Sequence, residues 1–179
     1  MRILILASLC LVAACSDGAG DGGDQAAAAE PPATFPAGQW DVTSEVTAFR
    51  QADKGAPKIK FAVGDKATNS ACVAASEGQK PNPALFLGEG YQCSYQTAYA
   101  RKGMVNETLS CTRKGLEGAV MANVEGHYTA DSFDGTATTS TSLYTDGDVV
   151  FTRKLSARRT GECQAAAPAA AAEGAKKKG

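Results

Sequence analysis

The chain holds one histidine and one tryptophan in 179 residues, and its 18 Lys and Arg are matched by 19 Asp and Glu. Each scarcity excludes something. A single histidine, His127, would have to serve any Ser-His-Asp system, and it cannot supply a multi-histidine metal centre. The charge balance leaves no basic footprint of the kind nucleic-acid binding requires. Residues 37–163 carry fourteen basic and fourteen acidic side chains. The strongest apolar run, Ile3 to Ala14, has 12 residues, against the roughly 20 of a membrane-spanning helix. Gly88-Glu89-Gly90 lacks the third glycine and the helix of a dinucleotide-binding loop. Asp131 with Asp134, and Asp146 with Asp148, sit in turns but do not match a calcium-binding loop. These features argue against an enzyme and imply no cofactor and no metal.

What is present begins with an address. Arg2, the apolar run and the small residues before Cys15 have the layout of a secretory signal over residues 1–14. Val12-Ala13-Ala14-Cys15 resembles the lipobox of bacterial lipoproteins, which implies acylation of Cys15. Cysteine parity agrees. Of six cysteines, Cys10 leaves with the signal and Cys15 takes lipid, so Cys72, Cys93, Cys111 and Cys163 remain as an even set suited to two disulfides in an oxidising compartment. Ser16 in place of aspartate favours the outer membrane, facing the periplasm. Residues 15–36 are rich in Gly, Ala and acidic side chains and read as a disordered tether, because such a composition cannot bury enough surface to offset the entropy of ordering. Residues 164–179 read as a disordered Ala- and Lys-rich tail.

Between them, 37–163 suits one domain with its own core. Its pattern is period two, which predicts an all-β, mostly antiparallel meander of about seven or eight strands, closing into a barrel or sandwich. Trp40 to Phe49 and Lys58 to Val63 alternate as half-buried strands. Residues 69–90 predict a long loop with a short helical turn near Val73 to Glu77. Asp146-Gly147 is the strongest signal for a two-residue type I′ hairpin.

Around Arg101-Lys102-Gly103, a hairpin centred on Lys102 sets Cys93 opposite Cys111, Tyr95 opposite Leu109 and Tyr99 opposite Val105. A Cys93–Cys111 bridge follows from that register. Elimination leaves Cys72 with Cys163, although four cysteines allow three connectivities and the sequence does not choose. His127 alternates out of phase with Val124 and Tyr128, so it points to solvent. Arg153 alternates with Val149, Phe151 and Leu155, so it points inward, to pair with a carboxylate such as Glu107 or to line a cavity.

The opening Pro36-Ala37-Gly38-Gln39-Trp40-Asp41-Val42-Thr43, the spaced Cys72, Cys93 and Cys111, the stretch Gly126-His127-Tyr128-Thr129-Ala130-Asp131-Ser132-Phe133-Asp134-Gly135-Thr136 and the closing Ala157-Arg158-Arg159-Thr160-Gly161-Glu162-Cys163 together resemble the bacterial domain-of-unknown-function family 3617. The resemblance implies an exported envelope protein and supplies no catalytic residue. A looser likeness is to lipocalins, in which an arginine near the end of the barrel lies over the tryptophan of Gly-x-Trp. Gly38-Gln39-Trp40 and Arg158 or Arg159 hold comparable places here.

Two functions follow as expectations. One is a non-enzymatic structural or interaction domain of the cell envelope, held to the membrane through its N-terminal lipid, with an envelope protein as partner. The other is a calycin-like binder of a small lipophile, with Trp40, Tyr91, Tyr95, Tyr99, Arg153 and Arg159 as candidate cavity residues.

Overall fold

The computed structural model describes residues 30–163. The signal run, Cys15, the tether up to residue 29 and the tail lie outside the described residues.

Seven strands form one antiparallel sheet: β1 (Gly38–Gln51), β2 (Lys66–Val73), β3 (Tyr91–Arg101), β4 (Met104–Arg113), β5 (Leu116–Tyr128), β6 (Ser132–Leu143) and β7 (Val149–Gly161). Their order is β2-β1-β7-β6-β5-β4-β3, and the sheet curls into a half-barrel. Alternation decides the faces. In β5, Val120, Ala122 and Val124 are fully buried on the concave side, while Asn123, Glu125 and His127 are exposed.

The half-barrel does not close on itself. Its edges, β2 and β3, are not hydrogen-bonded to each other, and the chain between them fills the gap. A one-turn helix, α1 (Ala84–Leu87), buries Leu85, Phe86 and Leu87 against the sheet. Just before it, Asn82 accepts from the Ala84 amide at 3.0 Å and donates from its own side-chain amide to Cys72 O at 3.1 Å. Asn69 Nδ2 donates to Ala84 O at 2.9 Å, and the Tyr95 hydroxyl donates to Pro81 O. Both edge strands therefore hold the plug.

Phe86 meets Phe133 edge-on with centroids 5.7 Å apart, and Phe35 touches Phe133, Tyr128 and Trp40 at 5.8, 5.0 and 4.9 Å. The paired glycines Gly126 and Gly135 lie beneath the Phe133 ring, where a Cβ at either would stand 2.7 Å from it. An aromatic thus covers a patch where two side chains are missing.

The sulfurs of Cys72 and Cys163 stand at bonding distance, as do those of Cys93 and Cys111. The first pair ties edge strand β2 to the end of β7, and the second ties β3 to β4.

Several sequence expectations need correction. Lys58 to Val63 is not a strand. It lies in a loop pinned by Val46 N to Asp65 O (2.9 Å) and Gly64 N to Val46 O (2.8 Å), and Val63 is 67% exposed. The strand beside β1 is instead β2, whose Asn69-Ser70-Ala71-Cys72-Val73 falls inside the expected loop. The β3–β4 register holds from Tyr91 to Tyr95 and then shifts at Gln96, so Tyr99 pairs with Asn106 rather than Val105. The bulge reverses the facing: Ala98 and Ala100 turn inward and Tyr99 outward. Lys102 and Gly103, at φ 50° and 79°, make the positive-φ turn. Asp146-Gly147 does not, because Asp148 captures the β6 end through Leu143 N (2.8 Å) and Thr141 Oγ1 (3.0 Å), and Gly147 N bonds Ala56 O (3.0 Å). Finally, residues assigned to the tether pack on the sheet: Phe35 is 1% exposed, and Pro32 O accepts from the Tyr128 hydroxyl at 3.2 Å.

The two cysteine pairs span 91 and 18 residues. By loop-closure entropy, replacing Cys72 and Cys163 with alanine should cost about 1 kcal/mol more than replacing Cys93 and Cys111. Urea unfolding of the two double variants checks this, and equal losses would show that strand-edge anchoring does not follow loop length.

Candidate functional site

The two ends of the half-barrel differ. At the end built from Phe35, Trp40, Tyr128 and Phe133 the concave face is solid, and all four side chains are at most 2% exposed. At the other end, the sheet opens around the loop between β1 and β2. A turn closed by Ala62 N to Asp65 Oδ2 (2.7 Å) and Asp65 N to Ala62 O (3.0 Å) swings Phe61 back over the sheet. Its ring meets Phe151 edge-on at 5.0 Å and Phe49 at 6.4 Å. Phe49 and Phe151 share a face because β1 bulges between Val46 and Ala48, which re-aims the following side chains.

Arg153 lies at the junction. Behind it are Leu155 and Leu87 of the main core; ahead are Phe151 and Phe61. Its guanidinium stands 5.2 Å from the Phe151 ring and makes two long contacts, from Nη1 and Nη2, to Leu87 O at 3.5 and 3.4 Å. Nε is buried without a hydrogen-bond partner. Burial pulls the Arg153 pKa down; the Tyr91 phenol opposes that shift, and nearby Arg113 adds to it.

Beside Arg153 opens a cleft of about 440 Å³, walled by Phe61, Leu87, Asn69, Tyr91, Arg113 and Glu89 among others. It adjoins a second space of about 350 Å³ that shares Ser44, Phe61, Ala67 and Arg153. A third, of about 330 Å³, runs past Ile59, Phe61 and Leu116. At the rim Arg113 lies over the Tyr91 ring at 4.8 Å and donates from Nη1 to its hydroxyl at 3.2 Å.

The six candidate cavity residues part company. Tyr91 and Arg153 line the open cleft. Trp40 is fully buried at the solid end, its Nε1 donating to Pro36 O at 3.2 Å. Tyr95 is spent on the plug. Tyr99 is 41% exposed on the outer face. Arg159, not the outward Arg158, sits across from Trp40; it donates from Nε to Ala37 O at 2.6 Å and pairs with Glu162 at 3.1 Å. It lines none of the three clefts. Phe61 is a wall residue that the sequence does not announce, because its alternation with Lys58 and Lys60 reads as a strand.

Arg153 and Glu107 do not pair. They belong to one row across the concave face, Arg153–Ala137–Val124–Glu107, which sets them three strands apart, about 14 Å along the sheet. Glu107 is fully buried, and among the described residues neither carboxyl oxygen has a hydrogen-bond partner. Burial pushes its pKa up to about 7, against smaller downward pulls that include the Lys80 ammonium. Burial also raises the Tyr95 phenol, with the Glu107 and Glu77 charges adding to the shift.

No group of three or more His, Cys, Asp or Glu side chains converges among the described residues. His127, the lone imidazole, is exposed on the outer face of β5.

A carboxyl whose pKa is higher folded than unfolded binds its proton more tightly in the native state, so its contribution to stability is full at low pH and drains away as pH rises. For Glu107 the window runs from 4.5 to about 7, at roughly 1.4 kcal/mol per pH unit. Relative to Glu107→Gln, the native chain should lose stability across that window and hold a constant deficit above it. Urea midpoints of both proteins between pH 5 and 8 decide the matter, and a difference independent of pH would show that Glu107 stays ionised in the fold.

No curated protein and no solved structure matches the chain. A family model described as "Protein of unknown function (DUF3617)" matches residues 35–163. That span takes in Phe35, both cysteine pairs and the whole half-barrel, so the chain belongs to the DUF3617 family.

Proposed function

We propose that this is an exported, lipid-anchored binding module, not an enzyme: Cys15 holds it to the membrane, on the periplasmic face of the outer membrane, and the open end of the half-barrel takes a small lipophile. The observation that carries the reading is the contrast between the two ends. One is packed solid around Trp40, while the other leaves a cleft of about 440 Å³ beside Phe61, Leu87 and Tyr91. That size lies within the range of small-molecule sites, and the walls set Phe61, Leu87 and Tyr91 beside the polar Asn69, Arg113 and Arg153. The lipocalin likeness supports the class of ligand but puts it in the wrong place, because Trp40 is fully buried and does not line the open cleft. Support for the anchor comes from the signal layout and from the four domain cysteines, which are all accounted for without Cys15.

The address and the site are tested separately. Cys15→Ala should release the protein from the membrane fraction as a soluble periplasmic species; continued dependence on detergent would defeat the anchor. For the site, a neutral polarity-sensitive dye such as N-phenyl-1-naphthylamine should bind the folded chain saturably with enhanced emission. Phe61→Asp should weaken it at least about tenfold, by placing a charge against the apolar wall, and Phe61→Leu should keep most of it. Trp40 fluorescence should not respond, since the indole is buried at the far end. Absence of dye binding would return the domain to a structural or protein-interaction role.

A further inference from the structure

We propose that the open end selects amphiphiles with an oxyanion head, a carboxylate or a phosphate monoester on a single alkyl chain, with Arg153 receiving the head inside the cleft and Arg113 meeting it at the rim. This rests on the binding reading above and adds the ligand's charge.

The argument starts from hydrogen-bond and charge accounting. A guanidinium has five N–H donors. Arg153 directs two of its nitrogens, at 3.4 and 3.5 Å, to the single carbonyl of Leu87, and its Nε is buried without a partner. No carboxylate lies within salt-bridge distance of it among the described residues, whose ion pairs are Lys58–Asp146, Lys66–Glu45 and Arg159–Glu162. Removing a cation from water without a counter-ion is costly. The inward acid of its own row, Glu107, is three strands away.

The charges around the opening point the same way. Arg113 has no acidic partner among the described residues; its contacts are the Tyr91 ring and hydroxyl. Lys60 and Lys114 border the adjoining spaces. Two acids are near. Glu89 stands exposed at the cleft's edge, and Asp65 is already engaged by the Ala62 amide. The inner wall thus offers an unneutralised planar cation, the group best matched to a carboxylate or phosphate head.

The tail has a path as well. From Arg153 the cleft runs past Phe61, which also lines the space bordered by Ile59 and Leu116, a space whose other walls are the cations Lys58, Lys60, Arg113 and Lys114. Head and tail sites are therefore contiguous, with the cation at the inner end. A neutral lipophile would fill the apolar part and leave the Arg153 guanidinium without a counter-ion.

The test compares dodecanoate, dodecyl phosphate and dodecanol below their aggregation concentrations as competitors of the neutral dye on the folded chain. Charge-assisted hydrogen bonds predict that at least one anion displaces dye at roughly ten- to a hundredfold lower concentration than dodecanol. Which anion wins separates a fatty acid from a lipid phosphate as the source. Arg153→Gln should bring the preferred anion to the level of dodecanol and leave dodecanol unchanged, with unaltered Trp40 emission reporting an intact core. Arg113→Gln, at the rim, should reduce the preference several-fold. Equal displacement by all three competitors, or a preference that survives both substitutions, would overturn the selectivity while leaving the binding site standing. Loss of dye binding by the unmodified chain would remove both.

Discussion

A seven-stranded sheet that curls without closing has two needs at once: its concave face must be covered, and its two edges must be kept from pairing with other chains. Here one segment meets both. The Leu85-Phe86-Leu87 turn is lowered into the concavity and hung from both edges, by Asn69 and the Cys72 carbonyl on one side and by the Tyr95 hydroxyl on the other. Three fully buried side chains of this kind contribute on the order of 1.5–3 kcal/mol each. The Cys72–Cys163 link fixes the β2 edge to β7, so the strand from which the plug hangs cannot peel away on its own. Everything inside the half-barrel takes its place relative to that plug.

Because α1 is only one turn long, it fills the middle and leaves the rest to other elements. At one end the N-terminal approach supplies the filler: Thr34 bridges to Arg101, and Phe35 enters the core between Trp40 and Phe133. At the other the loop between β1 and β2 contributes Phe61 but does not seal the face. Gly88, at φ 79°, ends the helix there and turns the chain toward β3. The cleft follows from a short plug and a loop held by its own turn, and its walls belong to elements already fixed by the sheet.

Much of this was legible in the chain and some was not, for identifiable reasons. The Cys93–Cys111 pairing could be read because the hairpin centre and the aromatic alternation agreed on one register. The same register failed for Tyr99 because a bulge at Gln96 adds one residue, and nothing in Gln96-Thr97-Ala98 announces it. β2 was hidden because Ala71 and Cys72 give weak strand signals, and its burial comes from lying opposite Trp40. Phe35 was grouped with the tether because a lone aromatic between prolines carries no period. At the candidate site, the inward direction of Arg153 was plain from alternation with Phe151 and Leu155. Its surroundings were not, since they depend on where a loop 90 residues earlier comes to rest.

The two charges that face inward show how access to solvent decides what such a group can do. Glu107 and Arg153 share one row of the concave face three strands apart, yet one is sealed from solvent and the other borders the open cleft. Glu107 is the sealed one, and a carboxyl there lowers its energy by taking up a proton. At the open end Arg153 cannot shed its charge so readily, because guanidinium remains protonated under nearly all conditions. It must instead find an anion or keep contact with solvent. Had the two been adjacent they would have neutralised each other, and neither would be available. Separation by three strands leaves a silent acid in the core and an uncommitted cation at the mouth, and only the second is placed where a molecule from outside can reach it.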